Sequence, residues 1–173
     1  MITTRRTYMP LATYPAAVAD EAVLAAAGFA LSLGGALEVM TFSVDIPRVP
    51  SPLASLLIDI PGLVQAAEDK SKSECARLQG LIRGLGAPPA VNCTSREVLL
   101  SGLLDAAAAE ARYYDLAVLP WSRDEPSAQH LIEAVVFGSG RPAILVPGSA
   151  RPVGRLDHIA IAWDASRVAA RAL

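Results

Sequence analysis

Short apolar runs alternate along this chain with longer stretches in which apolar residues recur at helical spacing. Thr7–Thr13 ("TYMPLAT") is short, apolar and bounded by proline, and it reads as a strand. Ala16–Leu33 is rich in Ala and Leu, with Val18, Ala22, Ala25, Ala26 and Phe29 spaced as on one helix face. Gly34-Gly35 stops it. Ala36–Val44 ("ALEVMTFSV") alternates and is partly β-branched, which predicts a second strand.

The next stretch, "DIPRVPSPLASLLIDIPG" (45–62), holds four of the 13 prolines and cannot be one regular helix. It predicts a loop with one helical turn at Leu53–Ile58. Gly62–Gly84 predicts a polar-faced helix with Leu63, Ala66, Ala67, Cys75, Leu78 and Ile82 on or near one stripe. Pro89–Thr94 reads as a short strand. Ser95–Tyr113 reads as a helix, with Ser95 as N-cap and Glu97 adding negative charge to its first turn. Asp115–Trp121 is a strand, Ser122–Pro126 a polar loop, and Ser127–Phe137 a helix closed by "GSG". Pro142–Pro147 is another apolar strand, and Gly148–Leu156 has the composition of a linker. The last stretch, "HIAIAWDASRVAARAL", alternates up to Trp163 and then turns helical.

The predicted order is βαβαβαβαβ, a linker, then βα. Most strand cores are short apolar runs without clean polar alternation. Both features predict an α/β fold, a doubly wound five-stranded parallel sheet with helices on both faces. In such sheets ligands bind beyond the carboxyl ends of the strands, where strand order reverses.

Composition narrows the function classes. The chain has 173 residues, ordinary for one domain, and its 53% hydrophobic content allows a sizeable core. Fifteen basic residues against 17 acidic ones leave no basic stripe, so no nucleic-acid partner is expected. No apolar run approaches the roughly 20 residues of a membrane span, and no apolar run follows the N-terminal arginines as in a signal peptide. The expectation is a soluble cytoplasmic protein. Cys75 and Cys93 share no metal-ligand spacing, and His130 and His158 complete no triad or metal set.

The two ends repeat each other. "MPLATYPAAVADEAV" (Met9–Val23) lies over "IAIAWDASRVAARAL" (Ile159–Leu173), with Ala12 on Ala162, Val18 on Val168, Ala19 on Ala169 and Ala22 on Ala172. The tail is therefore expected to be the first strand and helix of a second copy rather than a sixth strand of one domain. The expected organisation is a domain over 1–148, a linker over 149–156, and a truncated second repeat over 157–173.

"ARYYDLAVLPWSRDEPSAQHLIEAVVFGSGRPAILVP" resembles the fourth strand, fourth helix and fifth strand of universal stress protein (UspA-like) domains, and "IAIAWDASRVAARAL" resembles the start of a further one. The whole is similar to bacterial tandem universal stress proteins. The resemblance implies an adenine-nucleotide α-hydrolase-like fold with strand order 3-2-1-4-5. It also implies homodimers through the fifth strand. Many members bind ATP, through an acid at the end of strand one and a G-x-x-G, nine residues, G-[ST] pattern after strand four. Glycines there let backbone N–H groups approach phosphates.

This chain departs from that pattern. Strand one ends in "LATYP", with Thr13 or Tyr14 where the acid would stand, and no glycine falls between Pro120 and Phe137. Gly138-Ser139 follows the fourth helix and reads as a helix-stop turn. Asp124-Glu125 would repel a polyphosphate. In the tail, Asp164 matches the family's acid, with Ser166 beside it; Asp164 also suits a helix cap.

The first expectation is a regulatory, non-enzymatic stress-response module, degenerate for ATP in this repeat and acting through dimer or tandem assembly by the fifth strand or the tail. The alternative is a protein that binds an adenine nucleotide (ATP) or another small ligand at a non-standard site, through backbone groups near Thr13, Val39–Thr41 and Ser122 and without the glycine motif. An ATP pyrophosphatase of the same superfamily would carry a Ser-Gly-Gly-rich loop after strand one, and "LATYPAA" has no glycine. The candidate ligand residues are thus Thr13, Val39, Thr41, Ser122, Asp164 and Ser166, with ATP the one cofactor implied.

Overall fold

The structure, a computed structural model, describes residues 5–48, 59–87, 89–122, 126–150 and Ala160. Five strands form one sheet: β1 (Arg6–Ala12), β2 (Ala36–Asp45), β3 (Val91–Leu99), β4 (Leu116–Trp121) and β5 (Ala143–Pro147). All pairings are parallel, and the order is β3-β2-β1-β4-β5, as the resemblance implied. Among the described residues, four α-helices connect them: α1 (Asp20–Ser32), α2 (Ile60–Arg83), α3 (Leu103–Ala111) and α4 (Pro126–Gly138). The turn helix expected at Leu53–Ile58, most of the linker and the tail apart from Ala160 lie outside the described residues.

The pleat sends alternate side chains to opposite faces, and each face carries its own core. Met9 and Leu11 of β1, Leu37 and Val39 of β2 and Val118 of β4 meet α1 and α2. Tyr8 and Ala12, Phe42 and Val44, and Ala117 and Leu119 meet α3 and α4. Helix α1 approaches the sheet through Ala22, Ala26, Ala27 and Ala30, all buried, because their side chains are short. Its first turn carries Asp20 and Glu21, which suit the positive end of a helix. The helix starts there rather than at Ala16; the segment from β1 to the helix holds the Tyr14–Pro15 peptide, which is cis.

The second half of β2 turns polar on the α2 face, with Thr41 and Ser43 buried, and α2 answers it with buried Glu68, Ser71 and Gln79. The apolar stripe expected from Leu63 onward therefore begins later. Leu63 is 61% exposed and Ala66 is exposed, whereas Leu78 and Ile82 are fully buried. Asp59 caps the helix, its carboxylate accepting from the Gly62 N–H at 3.0 Å.

One element is corrected. Ser95–Tyr113 is not a single helix: Ser95–Leu99 continue β3, a turn of 3₁₀-helix spans Leu100–Gly102, and α3 begins at Leu103. Ser95 is no N-cap; its hydroxyl meets Thr41, and Glu97 pairs with Lys72 at 2.9 Å. The reason is the length of β2. Its backbone groups run to Asp45 and pair with β3 in register from Leu37↔Val91 to Asp45↔Leu99. That ladder outweighs a local capping signal.

No helix among the described residues is long and apolar enough to cross a membrane.

Candidate functional site

The carboxyl ends of β4 and β5 and the first turn of α1 enclose a groove of about 260 Å³, lined by Ala19, Glu21, Ala22, Trp121, Ser122, Pro147, Gly148 and Ser149. Local structure explains its shape. Trp121 pairs with Pro147 at the last rung of the β4–β5 ladder. The Gly148 N–H then donates to the Trp121 carbonyl at 3.3 Å, and the Ala150 N–H turns back to the Pro147 carbonyl at 2.8 Å. Glycine at 148 lets this turn lie against α1, since a Cβ there would meet the Ala22 backbone nitrogen at 3.3 Å.

The electrostatics of the groove come from α1. Asp20 is held by Arg77 of α2 through two hydrogen bonds of 2.7 and 2.9 Å. That guanidinium also holds Glu74 at 2.8 Å, and these carboxylate bonds raise its pKa further. Glu21 has no ion-pair partner among the described residues and is the one charged side chain lining the groove there. Trp121, on the neighbouring wall, is 36% exposed.

Of the residues singled out in the sequence, Ser122 lines this groove and is half-buried. Thr13 points under α2. Its Oγ1 donates to the Phe42 carbonyl at 2.8 Å and lies 2.7 Å from Ser71 Oγ and 3.8 Å from Cys75 Sγ. Because its one proton goes to Phe42, Ser71 is the donor in the Thr13–Ser71 pair, and Ser71 accepts from the Val44 N–H at 3.1 Å. Val39 is buried mid-strand between Met9 and Cys93. Thr41 is fully buried and accepts from Gln79 Nε2 at 2.9 Å. The fold therefore does not bring Thr13, Val39 and Thr41 together with Ser122 at the groove. Asp164 and Ser166 lie outside the described residues, as do Asp124 and Glu125.

Gly138-Ser139 closes α4, as expected for a helix stop. The Ser139 N–H donates to the Val135 carbonyl, Ser139 Oγ accepts from the Arg141 N–H at 3.1 Å, and Gly140 has φ 68°. This turn precedes β5 and sits at the amino end of the sheet, away from the groove. Sequence reasoning missed Glu21 and Gly148. The acid in the first turn of α1 was legible; that the β5 turn would lie against it was not.

The described residues contain no group of three His, Cys, Asp or Glu side chains able to hold a metal ion. Cys75 is buried, and burial raises the pKa of the half-buried Cys93 thiol.

No family model matches this chain, and no curated protein matches it significantly. Solved structures do match. Universal stress protein UspA from Lactobacillus plantarum is 14% identical, over 82% of this chain and 98% of its own, with a TM-score of 0.50. A universal stress protein family member from Burkholderia pseudomallei is 17% identical, over 81% and 95%, with a TM-score of 0.49. A universal stress protein solved in complex with cAMP is 15% identical, over 84% and 99%, with a TM-score of 0.46. This chain thus has the universal stress protein fold: an all-parallel sheet of order 3-2-1-4-5 flanked by helices.

Proposed function

We propose that this chain is a universal stress protein-like regulatory module that does not hold ATP in its first repeat and works by assembling with another copy. It is a binding and assembly module, not an enzyme. The observation that carries this reading is the fate of Thr13. At the end of β1, where ATP-binding members of the resembled family carry an acid, Thr13 is tied down to Phe42 and Ser71 beneath α2.

Two further features support it. Glu21 lines the groove at the carboxyl edge with no ion-pair partner among the described residues, and a carboxylate there repels phosphates. The segment between Pro120 and Phe137 has no glycine to let backbone N–H groups close on an anion. The described residues thus do not fit a polyphosphate.

For assembly, β5 is a sheet edge with Leu145 46% exposed. An open apolar edge favours pairing with a second strand. A soluble cytoplasmic setting belongs to the same reading.

Calorimetric titration of the whole chain with MgATP tests the nucleotide part. The expected result is no saturable heat at micromolar nucleotide. Saturable micromolar binding would overturn the reading in favour of a non-standard nucleotide site. Light scattering tests assembly: a dimer is expected, and a monomer at all concentrations would remove that half of the reading.

A further inference from the structure

We propose that the groove at the ends of β4 and β5 binds a small organic cation: an ammonium group on a compact apolar body. The inference deepens the reading above, since it takes the groove as a site that ATP does not use.

Charge comes first. The amino end of α1 is already faced by two acids, so its dipole attracts no further anion. Arg77 neutralises Asp20, but no cation among the described residues pairs with Glu21. Among the described residues, the groove's carboxylate therefore has no side-chain cation as its partner.

The second wall supplies what an organic cation prefers. Trp121 exposes part of its indole there, and a ring face attracts an ammonium by its quadrupole. Ala19, Ala22 and Pro147 add apolar surface for the methyl or methylene groups of such a ligand. The hydroxyls of Ser122 and Ser149 accept hydrogen bonds from an N–H or O–H of the guest.

Size agrees. About 260 Å³ lies below the roughly 300–1,000 Å³ of pockets that enclose drug-sized molecules. The space suits a ligand of a few heavy atoms.

The test uses choline as probe and 3,3-dimethylbutan-1-ol as its neutral isostere. Both are titrated into the full chain while the indole N–H resonances are followed by NMR, with Trp163→Phe to assign Trp121. Choline is expected to shift the Trp121 resonance saturably at millimolar concentration, and the alcohol is not. Glu21→Gln is expected to weaken choline binding about tenfold, the loss of one paired charge and its cation–π partner geometry. In the Trp121 variants binding is read instead from saturation transfer to the choline methyl signal: Trp121→Phe should retain weakened binding and Trp121→Leu should lose it, with melting temperatures confirming that each variant folds.

No saturable shift with choline, equal shifts with the alcohol, or an unchanged affinity in Glu21→Gln would each overturn the proposal. The comparison with the neutral isostere needs no variant, so it stands even if a substitution unfolds the chain. MgATP in parallel samples keeps the two claims apart. ATP binding overturns the function proposed above, whereas failure of choline with ATP also silent overturns this inference alone.

Discussion

Thr13 Oγ1 and Ser71 Oγ lie 2.7 Å apart in a buried contact between the end of β1 and the middle of α2. The pair is the middle of a relay: the Val44 N–H donates to Ser71, Ser71 to Thr13, and Thr13 to the Phe42 carbonyl. Ser71→Ala leaves the Val44 N–H without the hydroxyl that accepts from it. It is expected to cost about 1–3 kcal/mol, read from the shift of a urea unfolding midpoint, with the nucleotide titration unchanged.

Gln79 and Arg77 sit two residues apart on α2 and predict opposite sensitivities. Gln79 is buried and donates to Thr41 Oγ1 and the Thr94 carbonyl, each at 2.9 Å, while accepting from Arg83. Gln79→Ala is expected to cost about 1–3 kcal/mol. Arg77 makes shorter bonds, but on the surface, where such pairs are worth less than about 1 kcal/mol. Arg77→Ala should therefore be the milder change, and its cost alone should shrink in high salt. Denaturation at two salt concentrations checks both.

Tyr8 predicts an alkaline weakness. Its side chain is fully buried, stacked on Tyr114 at 4.7 Å, and its hydroxyl meets no hydrogen-bond partner among the described residues. Burial, with Glu110 adding to it, pushes its pKa far above the usual tyrosine value. In the unfolded chain the phenol ionises near ~10. Above that pH the unfolded state releases a proton that the folded state retains, so stability falls as pH rises; below it the effect is absent. Tyr8→Phe should remove part of that fall and raise neutral-pH stability by up to about 1 kcal/mol, since it deletes an unsatisfied polar atom. Urea melts at pH 7 and pH 11 measure both effects.

The Gly34-Gly35 turn between α1 and β2 predicts an unequal pair. Both residues have positive φ, 74° and 98°. A Cβ at Gly34 meets nothing within 4 Å, whereas at Gly35 it collides with the Arg5 carbonyl, which accepts from the Ala36 N–H at 2.8 Å. Gly34→Ala should cost about 1 kcal/mol from the backbone alone. Gly35→Ala should cost more than about 2 kcal/mol, because the first rung of the β1–β2 ladder must shift. Thermal melts of the two variants test the order.

Much of the fold was legible where signals were local. The glycines after α1, the alternation of β2, and the apolar runs of β4 and β5 marked their elements within a few residues. β3 failed because the evidence for its second half lies in β2. Ser95 and Glu97 look like a helix start, and only the open ladder from Phe42 to Asp45 makes them strand. The candidate site was less legible. Thr13, Val39 and Thr41 were singled out for their backbone groups, by position along the strands; that the Thr13 and Thr41 hydroxyls would bond to α2 was not legible.

The sequence by itself determined the alternation of strands and helices, and hence a parallel sheet with helices on both faces, because apolar periodicity is a property of neighbouring residues. It also determined the lack of glycine after β4. Only the tertiary structure decided that α2 would meet β2 with polar side chains, that the last turn of β5 would lie against Ala22, and that Glu21 would line a groove beside Trp121. Those contacts join residues far apart in the chain, and a pattern read along the backbone carries no information about which distant face a side chain will meet.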